Sequence, residues 1–273
     1  MSRIDDKISR EFVPDRGFTV ARDESLAMHS TYKVGGKAEF MISVRDSEQA
    51  AEVYSFAWKT GTPLTILGAG SNVIAPDEGI GGITLKVSCR DAPFSIIDER
   101  LVVADAAMGL MQLARDTAGA GYSGFAPLAG IPGTVGGAIM MNAGTRDGEV
   151  ASMIEKVEVM TPSGRRMDLD SRDMSFGYRK SLLRDTDWLI LRGYFRVEKG
   201  DSDLLLKAVD RIQEERRRKY PMDLPNAGSV FKRPPGDYAG RLIETAGCKG
   251  MRCGGAAVSE RHARSEEHTS ELQ

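Results

Sequence analysis

The chain has 273 residues, of which 41% are hydrophobic and 28% are charged, so it can bury a core and fold as about two domains. Its 37 basic and 39 acidic residues nearly balance, which excludes a general attraction to nucleic acid or to an anionic membrane. No stretch has the pattern of a signal peptide or approaches the ~18 apolar residues of a membrane span, so we expect a cytoplasmic protein.

The first predicted elements form a strand–helix–strand unit. Asp46 and Gln49 have the spacing of a capping pair, and they predict a helix that continues to about Lys59. Short apolar runs predict three strands around it: residues 38–44, 64–67 and 83–87. A loop at residues 68–74 follows the second strand, so the unit presents a glycine turn at a strand's carboxyl end.

The glycine loop that begins at Gly68 offers backbone N–H groups to an anion. Glycine has no Cβ and tolerates positive φ, so the backbone at Gly68 and Gly70 can approach a phosphate closely. The spacing differs from the dinucleotide fingerprint of a Rossmann fold, because Val73 stands where glycine or alanine is required. An ordinary tight turn remains the alternative interpretation.

Further strands and helices are predicted downstream. The strands are residues 95–97, 101–104, 156–160, 165–169 and 188–197, with residues 162–164 as a hairpin turn. The helices are residues 110–118, 201–219 and 238–246. Their expected terminal residues are Gly119 or Gly121 for the first, Asp201 or Ser202 for the second, and Asp237 and Gly247 for the third.

A glycine-rich run, residues 130–144, has five glycines and a proline, followed by small apolar residues up to Asn142. Glycine costs roughly 0.5–1 kcal/mol per residue in a regular helix or strand, so another interaction must offset that cost in this run. A diphosphate and a ribityl chain lying against bare backbone are a physical candidate for that interaction. A structural glycine corner is the alternative.

Two polar clusters follow this run. Arg179 can hold a carboxylate or a phosphate bidentately, with Tyr178 as a hydrogen-bonding neighbour, although a solvated surface cluster is the alternative. Ser229 precedes a predicted short strand that carries Lys232. No Gly-x-Ser-x-Gly elbow surrounds Ser229, so proton donation suits it better than nucleophilic attack. A capping role is the other interpretation of this serine.

These segments, in this order, resemble the UDP-N-acetylenolpyruvoylglucosamine reductase family. The matching motifs are residues 29–36, 67–82, 130–144, 176–181, 227–234 and 254–263. The resemblance implies an α+β fold, with an FAD-binding unit of the vanillyl-alcohol-oxidase (PCMH) type at residues 19–199, made of subdomains 19–88 and 89–199. It also implies a C-terminal α+β substrate-binding domain at residues 200–263, and we expect a monomer.

The resemblance further implies a reaction and its residues. NADPH would reduce non-covalently bound FAD, and the flavin would reduce a UDP-sugar enolpyruvate to UDP-N-acetylmuramate, a peptidoglycan precursor. Arg179 would polarise the substrate carboxylate, Ser229 would donate a proton, and Tyr178 and Lys232 would help to bind the substrate. The residues matched to FAD binding are Gly68, Ala69, Gly70, Ser71, Asn72, Val73, Gly130, Ile131, Pro132, Gly133, Thr134, Gly136, Gly137, Asn142, Ala143 and Gly144.

The match to the family stops at Ala263. The family's C-terminal segment carries a catalytic glutamate and has no counterpart here, whereas residues 264–273 resemble the translation of a sequencing adapter. We therefore expect a shortened copy of the shorter family type with an artefactual tail, and a genuine polar tail is the alternative.

Two other functions stay open on the sequence alone. One is an FAD-dependent alcohol or lactone oxidase of the same superfamily, and the other is a non-catalytic flavin-binding fragment. No metal site is expected, because the three cysteines lack zinc-site spacing.

Overall fold

In the computed structural model of the protein, residues 3–220, 224–226, 228–260 and 266–268 are described. The helices are α1 (Arg3–Glu11), α2 (Ser47–Thr60), α3 (Leu110–Gly119), α4 (Val135–Met140), α5 (Ser202–Lys219) and α6 (Ala239–Thr245). The strands are β1 (Thr19–Ser25), β2 (Lys37–Val44), β3 (Leu64–Leu67), β4 (Ile80–Val87), β5 (Phe94–Ile97), β6 (Leu101–Asp105), β7 (Ile154–Met160), β8 (Arg166–Asp170), β9 (Leu189–Arg196), β10 (Arg252–Cys253), β11 (Ala256–Val258) and β12 (Glu266–His268). Within the described ranges, no helix has both the length and the apolar character that crossing a bilayer requires.

The strands form three sheets. The first has the order β1-β2-β4-β3, and its strands β2, β4 and β3 run parallel. The second is antiparallel, with the order β5-β6-β9-β7-β8. The third, β10-β11-β12, is short and antiparallel. Of the predicted tail, residues 264–265 and 269–273 lie outside the described residues.

The chain divides into two compact units. The first consists of Met1–Glu24, Ala38–Ala69 and Ile80–Ile212, and the second of Ser25–Lys37, Gly70–Gly79 and Gln213–Gln273. The first unit contains the four-stranded and five-stranded sheets around one core, in which Phe125 and Phe195 meet edge to face with ring centroids 5.2 Å apart. The second unit contains the three-stranded sheet and α6.

Elements with a local cause follow the sequence closely. The Asp46 carboxylate accepts the N–H of Gln49 at 2.9 Å and caps α2 as predicted, while the Gln49 side chain accepts the N–H of Arg45 at 2.9 Å. At the start of α5, Asp201 is the capping residue, because its carboxylate accepts the N–H of Leu204 at 3.0 Å. The predicted hairpin is confirmed by the antiparallel pairing of β7 with β8.

Two N-terminal elements, α1 and β1, have no counterpart among the predicted ones. The segment alternates charged and apolar residues, yet Ile4, Ile8 and Phe12 recur every four residues, which is helical spacing. Ile8 and Phe12 are buried in the core of the first unit. The apolar face of α1 is too narrow to predict a helix from the sequence, and the packing of Ile8 and Phe12 in the core identifies it.

The glycine-rich run, residues 130–144, contains the short helix α4 despite the cost of its glycines, and the Thr134 hydroxyl caps this helix by accepting the N–H of Gly137 at 3.2 Å. Two predictions near the candidate site are wrong. Lys232 lies in an irregular segment and not in a strand, since two prolines without N–H donors follow at residues 234–235. The Asp237 carboxylate accepts the N–H of Tyr238, before α6 begins, and therefore does not cap that helix.

A buried carboxylate joins β6 to α2. Asp105 is only 2% exposed and accepts the N–H of Ser47 at 3.0 Å, the Ser47 hydroxyl at 2.6 Å and the N–H of Ala107 at 2.8 Å. Ser47 is the first residue of α2, so the carboxylate also faces the positive end of the helix dipole. Burial raises the pKa of Asp105, and the hydrogen bonds from Ser47 and Ala107 oppose that rise.

We predict that Asp105→Ala lowers the free energy of unfolding by about 3 kcal/mol, because three buried donors lose their acceptor. Ser47→Ala removes only the hydroxyl donor and should cost about 1 kcal/mol. Urea unfolding of both variants and the parent at neutral pH measures the two losses. Equal losses would show that the carboxylate contributes nothing beyond its bond to the Ser47 hydroxyl.

Candidate functional site

The glycine loop after β3 approaches the glycine-rich run at Gly68. A Cβ on Gly68 would lie 2.8 Å from the hydroxyl oxygen of Thr134, which is closer than real Cβ contacts allow. Gly70 has a φ of 70°, and a Cβ there would collide with the backbone carbonyl of His29. Gly68 and Ala69 belong to the first unit, and residues 70–73 belong to the second. Space and backbone conformation therefore both require glycine in this loop.

Two backbone N–H groups in the glycine-rich run are available to an anion. The N–H groups of Val135 and Gly136 bond to backbone carbonyls, and that of Gly137 bonds to the Thr134 hydroxyl. Among the described residues, the N–H groups of Gly133 and Thr134 have no hydrogen-bond acceptor, although Thr134 is only 2% exposed. Buried backbone donors are nearly always paired, so the N–H of Thr134, with that of the half-buried Gly133 beside it, fits an anion such as the diphosphate of FAD.

Of the remaining residues of the run, some pack tightly against the protein and others are accessible to a ligand. Gly136 packs so closely that a Cβ would lie 3.1 Å from the Cβ of Ala106, whereas Gly137 is exposed. Gly130 is buried, and Ile131 and Pro132 are half-buried. The inward glycine places α4 against β6, and the outward one leaves the start of the helix open to a ligand.

The third predicted segment contains a tight turn, residues 177–180, called here the arginine turn. Gly177 and Lys180 exchange two backbone hydrogen bonds of 3.0 Å each, with Tyr178 and Arg179 between them. Arg179 has a φ of 55°, which is uncommon for a residue other than glycine. Its Nη2 donates to the carbonyl oxygen of Gly144 at 3.2 Å, and a guanidinium has further donors for a carboxylate. The turn thus lies against the end of the glycine-rich run.

Ser229 and Lys232 belong to the second unit, and both are exposed. In this unit the N–H of Asn226 donates to the carbonyl oxygen of Thr31 at 3.0 Å, and the N–H of Thr31 donates to that of Gly70 at 3.0 Å. Two of the matching motifs, residues 29–36 and 67–82, therefore meet at Thr31, which also accepts the N–H of Asn226, the residue before the motif at 227–234. Arg179 and Ser229 lie in different units.

Lys86 is a residue of this region that the sequence analysis does not single out. Its Nζ donates to the carbonyl oxygen of Gly68 at 2.7 Å, so it supports the glycine loop from β4. Burial lowers the pKa of Lys86 to about 8. The signal in the sequence is a single lysine inside the apolar run at residues 83–87, but only the sheet order shows that β4 is an interior strand.

We predict that Lys86 makes stability depend on pH. Its folded pKa of about 8 lies below the unfolded value of 10.5, so the folded state releases the proton first as pH rises. The free energy of unfolding of the parent, relative to Lys86→Met, should therefore increase by about 1–3 kcal/mol between about pH 7 and pH 10. Urea unfolding at both pH values measures this difference.

The matched control is Lys156→Met, because the hydrogen bond to Asp168 raises the pKa of Lys156 instead of lowering it. The stability difference between the parent and that variant should not increase over the same pH interval. A flat difference for Lys86→Met would contradict the assignment of a buried, partly desolvated ammonium.

Comparison with known families agrees with this geometry. An FAD binding domain family matches residues 38–170, and the C-terminal domain family of UDP-N-acetylenolpyruvoylglucosamine reductase matches residues 220–265. The UDP-N-acetylenolpyruvoylglucosamine reductase of Caldanaerobacter subterraneus subsp. tengcongensis is 36% identical over 242 residues, covering 88% of this chain and 79% of that protein. The protein of the same name from Shouchella clausii is 39% identical over 245 residues, covering 90% and 78%.

Solved structures support the fold assignment. The crystal structure of UDP-N-acetylenolpyruvylglucosamine reductase from Thermus caldophilus aligns with a TM-score of 0.79 and 30% identity, covering 94% of this chain and 90% of that one. An alkyldihydroxyacetonephosphate synthase aligns with a TM-score of 0.54 and 15% identity over 73% of this chain and 41% of that one, a likeness of fold alone. The predicted α+β FAD-binding architecture is confirmed, and the chain belongs to the UDP-N-acetylenolpyruvoylglucosamine reductase family.

Proposed function

We propose that this protein uses FAD and NADPH to reduce UDP-N-acetylglucosamine enolpyruvate to UDP-N-acetylmuramate, in the synthesis of peptidoglycan precursors. The observation that carries the proposal is that Gly68 meets Thr134 of the glycine-rich run and Arg179 meets Gly144 of the same run, all within the first unit of a chain of this family. The proposed form is a cytoplasmic monomer that acts on a nucleotide sugar and needs neither nucleic acid nor a membrane.

The cofactor is proposed to lie with its diphosphate against Gly68, Gly133 and Thr134. Bare backbone at Gly68 and the two N–H groups without acceptors in the described chain are the features that suit an anion there. Bound FAD supplies the hydride that it receives from NADPH. The protein contributes position, charge and the exclusion of water.

Arg179 is proposed to bind the carboxylate of the enolpyruvyl group. When hydride adds to one carbon of the double bond, negative charge develops on the other carbon and spreads into this carboxylate. A guanidinium held against the carboxylate stabilises that charge without reorganising during the reaction. Tyr178, at the same turn and 54% exposed, is proposed as a substrate contact beside it.

Ser229 is proposed to donate the proton that completes the reduction. The hydroxyl O–H bond breaks as a C–H bond forms at the carbon that did not receive hydride, so the double bond gains one hydride and one proton. A hydroxyl is a weak acid in water, but its acceptor here is a strongly basic enolate. Lys232 is proposed to contact the diphosphate or the carboxylate of the substrate.

We predict that the purified protein binds FAD and that Gly68→Ala weakens this binding by about tenfold or more, since the new Cβ would press on Thr134. Gly119→Ala is the matched control, because a Cβ at that glycine meets no atom within 4 Å. Titration of the apoprotein followed by flavin absorbance gives the dissociation constants. A parent protein that takes up no FAD would contradict the proposed function.

We predict that Ser229→Ala separates the two half-reactions when the variant and the parent both carry the family's C-terminal segment with its glutamate. Reduction of the bound flavin by NADPH should keep the parent rate, whereas transfer to UDP-N-acetylglucosamine enolpyruvate should slow by about 10²–10⁴-fold, the usual contribution of a general acid. Stopped-flow absorbance of the flavin measures both steps. Normal transfer in Ser229→Ala would refute the proton-donor role, and rapid reoxidation of the parent by oxygen without response to the UDP-sugar would favour an oxidase.

A further inference from the structure

Asn142 lies near the end of the glycine-rich run, and its side-chain amide is committed to protein partners at both ends. Nδ2 donates to the carbonyl oxygen of Gly177 at 3.0 Å, and Oδ1 accepts the N–H of Ala151 at 2.9 Å. The residue is 1% exposed. The resemblance assigns Asn142 to FAD binding, but both the donor and the acceptor of its amide form hydrogen bonds with backbone groups of the protein.

Three hydrogen bonds between described side chains and backbone carbonyls join the run to the arginine turn and to Ser181, which follows the turn, and the bond from Asn142 to Gly177 is one of them. The Ser181 hydroxyl donates to the carbonyl oxygen of Met140 at 2.7 Å, and Arg179 Nη2 donates to that of Gly144 at 3.2 Å. The run is therefore hydrogen-bonded to Gly177 at the start of the turn, to Arg179 within it and to Ser181 just after it. The Asn142 bond is the one made by a buried side chain of the run itself.

The backbone at Asn142 restricts which residue can do this. Its φ is 42°, in the left-handed region that glycine, asparagine and aspartate tolerate best. Glycine has no side chain, and an ionised aspartate has no hydrogen to donate to Gly177. Of these three residues, only asparagine combines this backbone conformation with a side-chain donor and a side-chain acceptor.

We propose that Asn142 is a positioning residue that couples the glycine-rich run to Arg179. The affinity for the substrate carboxylate then depends on the hydrogen bond by which the Asn142 amide fixes the arginine turn. The inference rests on the proposed function, in which the run holds FAD and Arg179 holds the carboxylate. Because the Asn142 side chain acts through the turn, its loss should weaken binding of the carboxylate and not of the diphosphate of FAD.

The test compares two ligands that differ by the enolpyruvyl group, which carries the carboxylate. Asn142→Gly keeps the left-handed backbone accessible and removes both side-chain bonds. In the FAD-loaded protein this substitution should weaken the binding of UDP-N-acetylglucosamine enolpyruvate by about tenfold, as the loss of buried hydrogen bonds predicts. The binding of UDP-N-acetylglucosamine, which lacks the carboxylate, should weaken by less than about twofold. Perturbation of the flavin spectrum gives both dissociation constants, and titration of the apoprotein gives that of FAD, which should change by less than about twofold.

Asp98→Gly is the matched control. Asp98 has a φ of 52° in the turn between β5 and β6, so the same kind of substitution is made at another left-handed residue. It should leave all three dissociation constants within about twofold of the parent. Asn142→Asp is the second variant: it keeps an acceptor for Ala151, loses the donor to Gly177, and should reproduce the selective loss of the enolpyruvate.

Three results would overturn the proposal. Equal weakening of both UDP-sugars would show a general structural role, and weakening of FAD itself would make Asn142 a cofactor residue. Failure of both Asn142 variants to fold, while Asp98→Gly folds, would also assign the amide to stability alone. A parent protein that binds neither FAD nor the enolpyruvate would instead refute the proposed function.

Discussion

The approach of two chain segments at Gly68 determines the geometry of the candidate site, because no Cβ fits between the loop after β3 and the cap of α4. The Thr134 hydroxyl fills the space opposite Gly68 and also accepts the N–H of Gly137, so one side chain limits the gap and starts the helix. The backbone donors of Gly133 and Thr134 lie at the same place. A steric constraint thus brings one glycine segment to the donors of another, which is the arrangement that a phosphate requires.

A buried carboxylate, Asp105, and a half-buried ammonium, Lys86, support this arrangement from within the first unit. Asp105 holds the end of β6, and the next residue, Ala106, accepts the N–H of Gly136 and packs against that glycine. Lys86 holds the carbonyl of Gly68 from β4. Burial opposes the charged form of both groups, so the fold accepts an electrostatic cost at the two positions that align its glycine segments.

The arginine turn shows a similar balance between strain and hydrogen bonding. Asn142 and Arg179 both adopt left-handed backbone, which costs about 1–2 kcal/mol for most residues and less for asparagine. The bonds from Asn142 to Gly177 and from Ser181 to Met140 offset that cost. As a result the guanidinium sits on a closed two-residue turn and not on a free loop, which suits a group that must be in place before charge develops.

The sequence by itself determined the elements whose causes are local. The Asp46–Gln49 cap, the Asp201 cap and the hairpin at residues 162–164 each depend on residues within about four positions. The order of the motifs that indicates the family is likewise a property of the sequence and needs no tertiary contact. Only the tertiary structure decided that Gly68 meets Thr134, that β4 is interior and leaves Lys86 half-buried, and that the Asn142 side chain donates to Gly177 in the arginine turn. These contacts join residues far apart in the chain, and sheet order, which local spacing does not encode, determines which of them form.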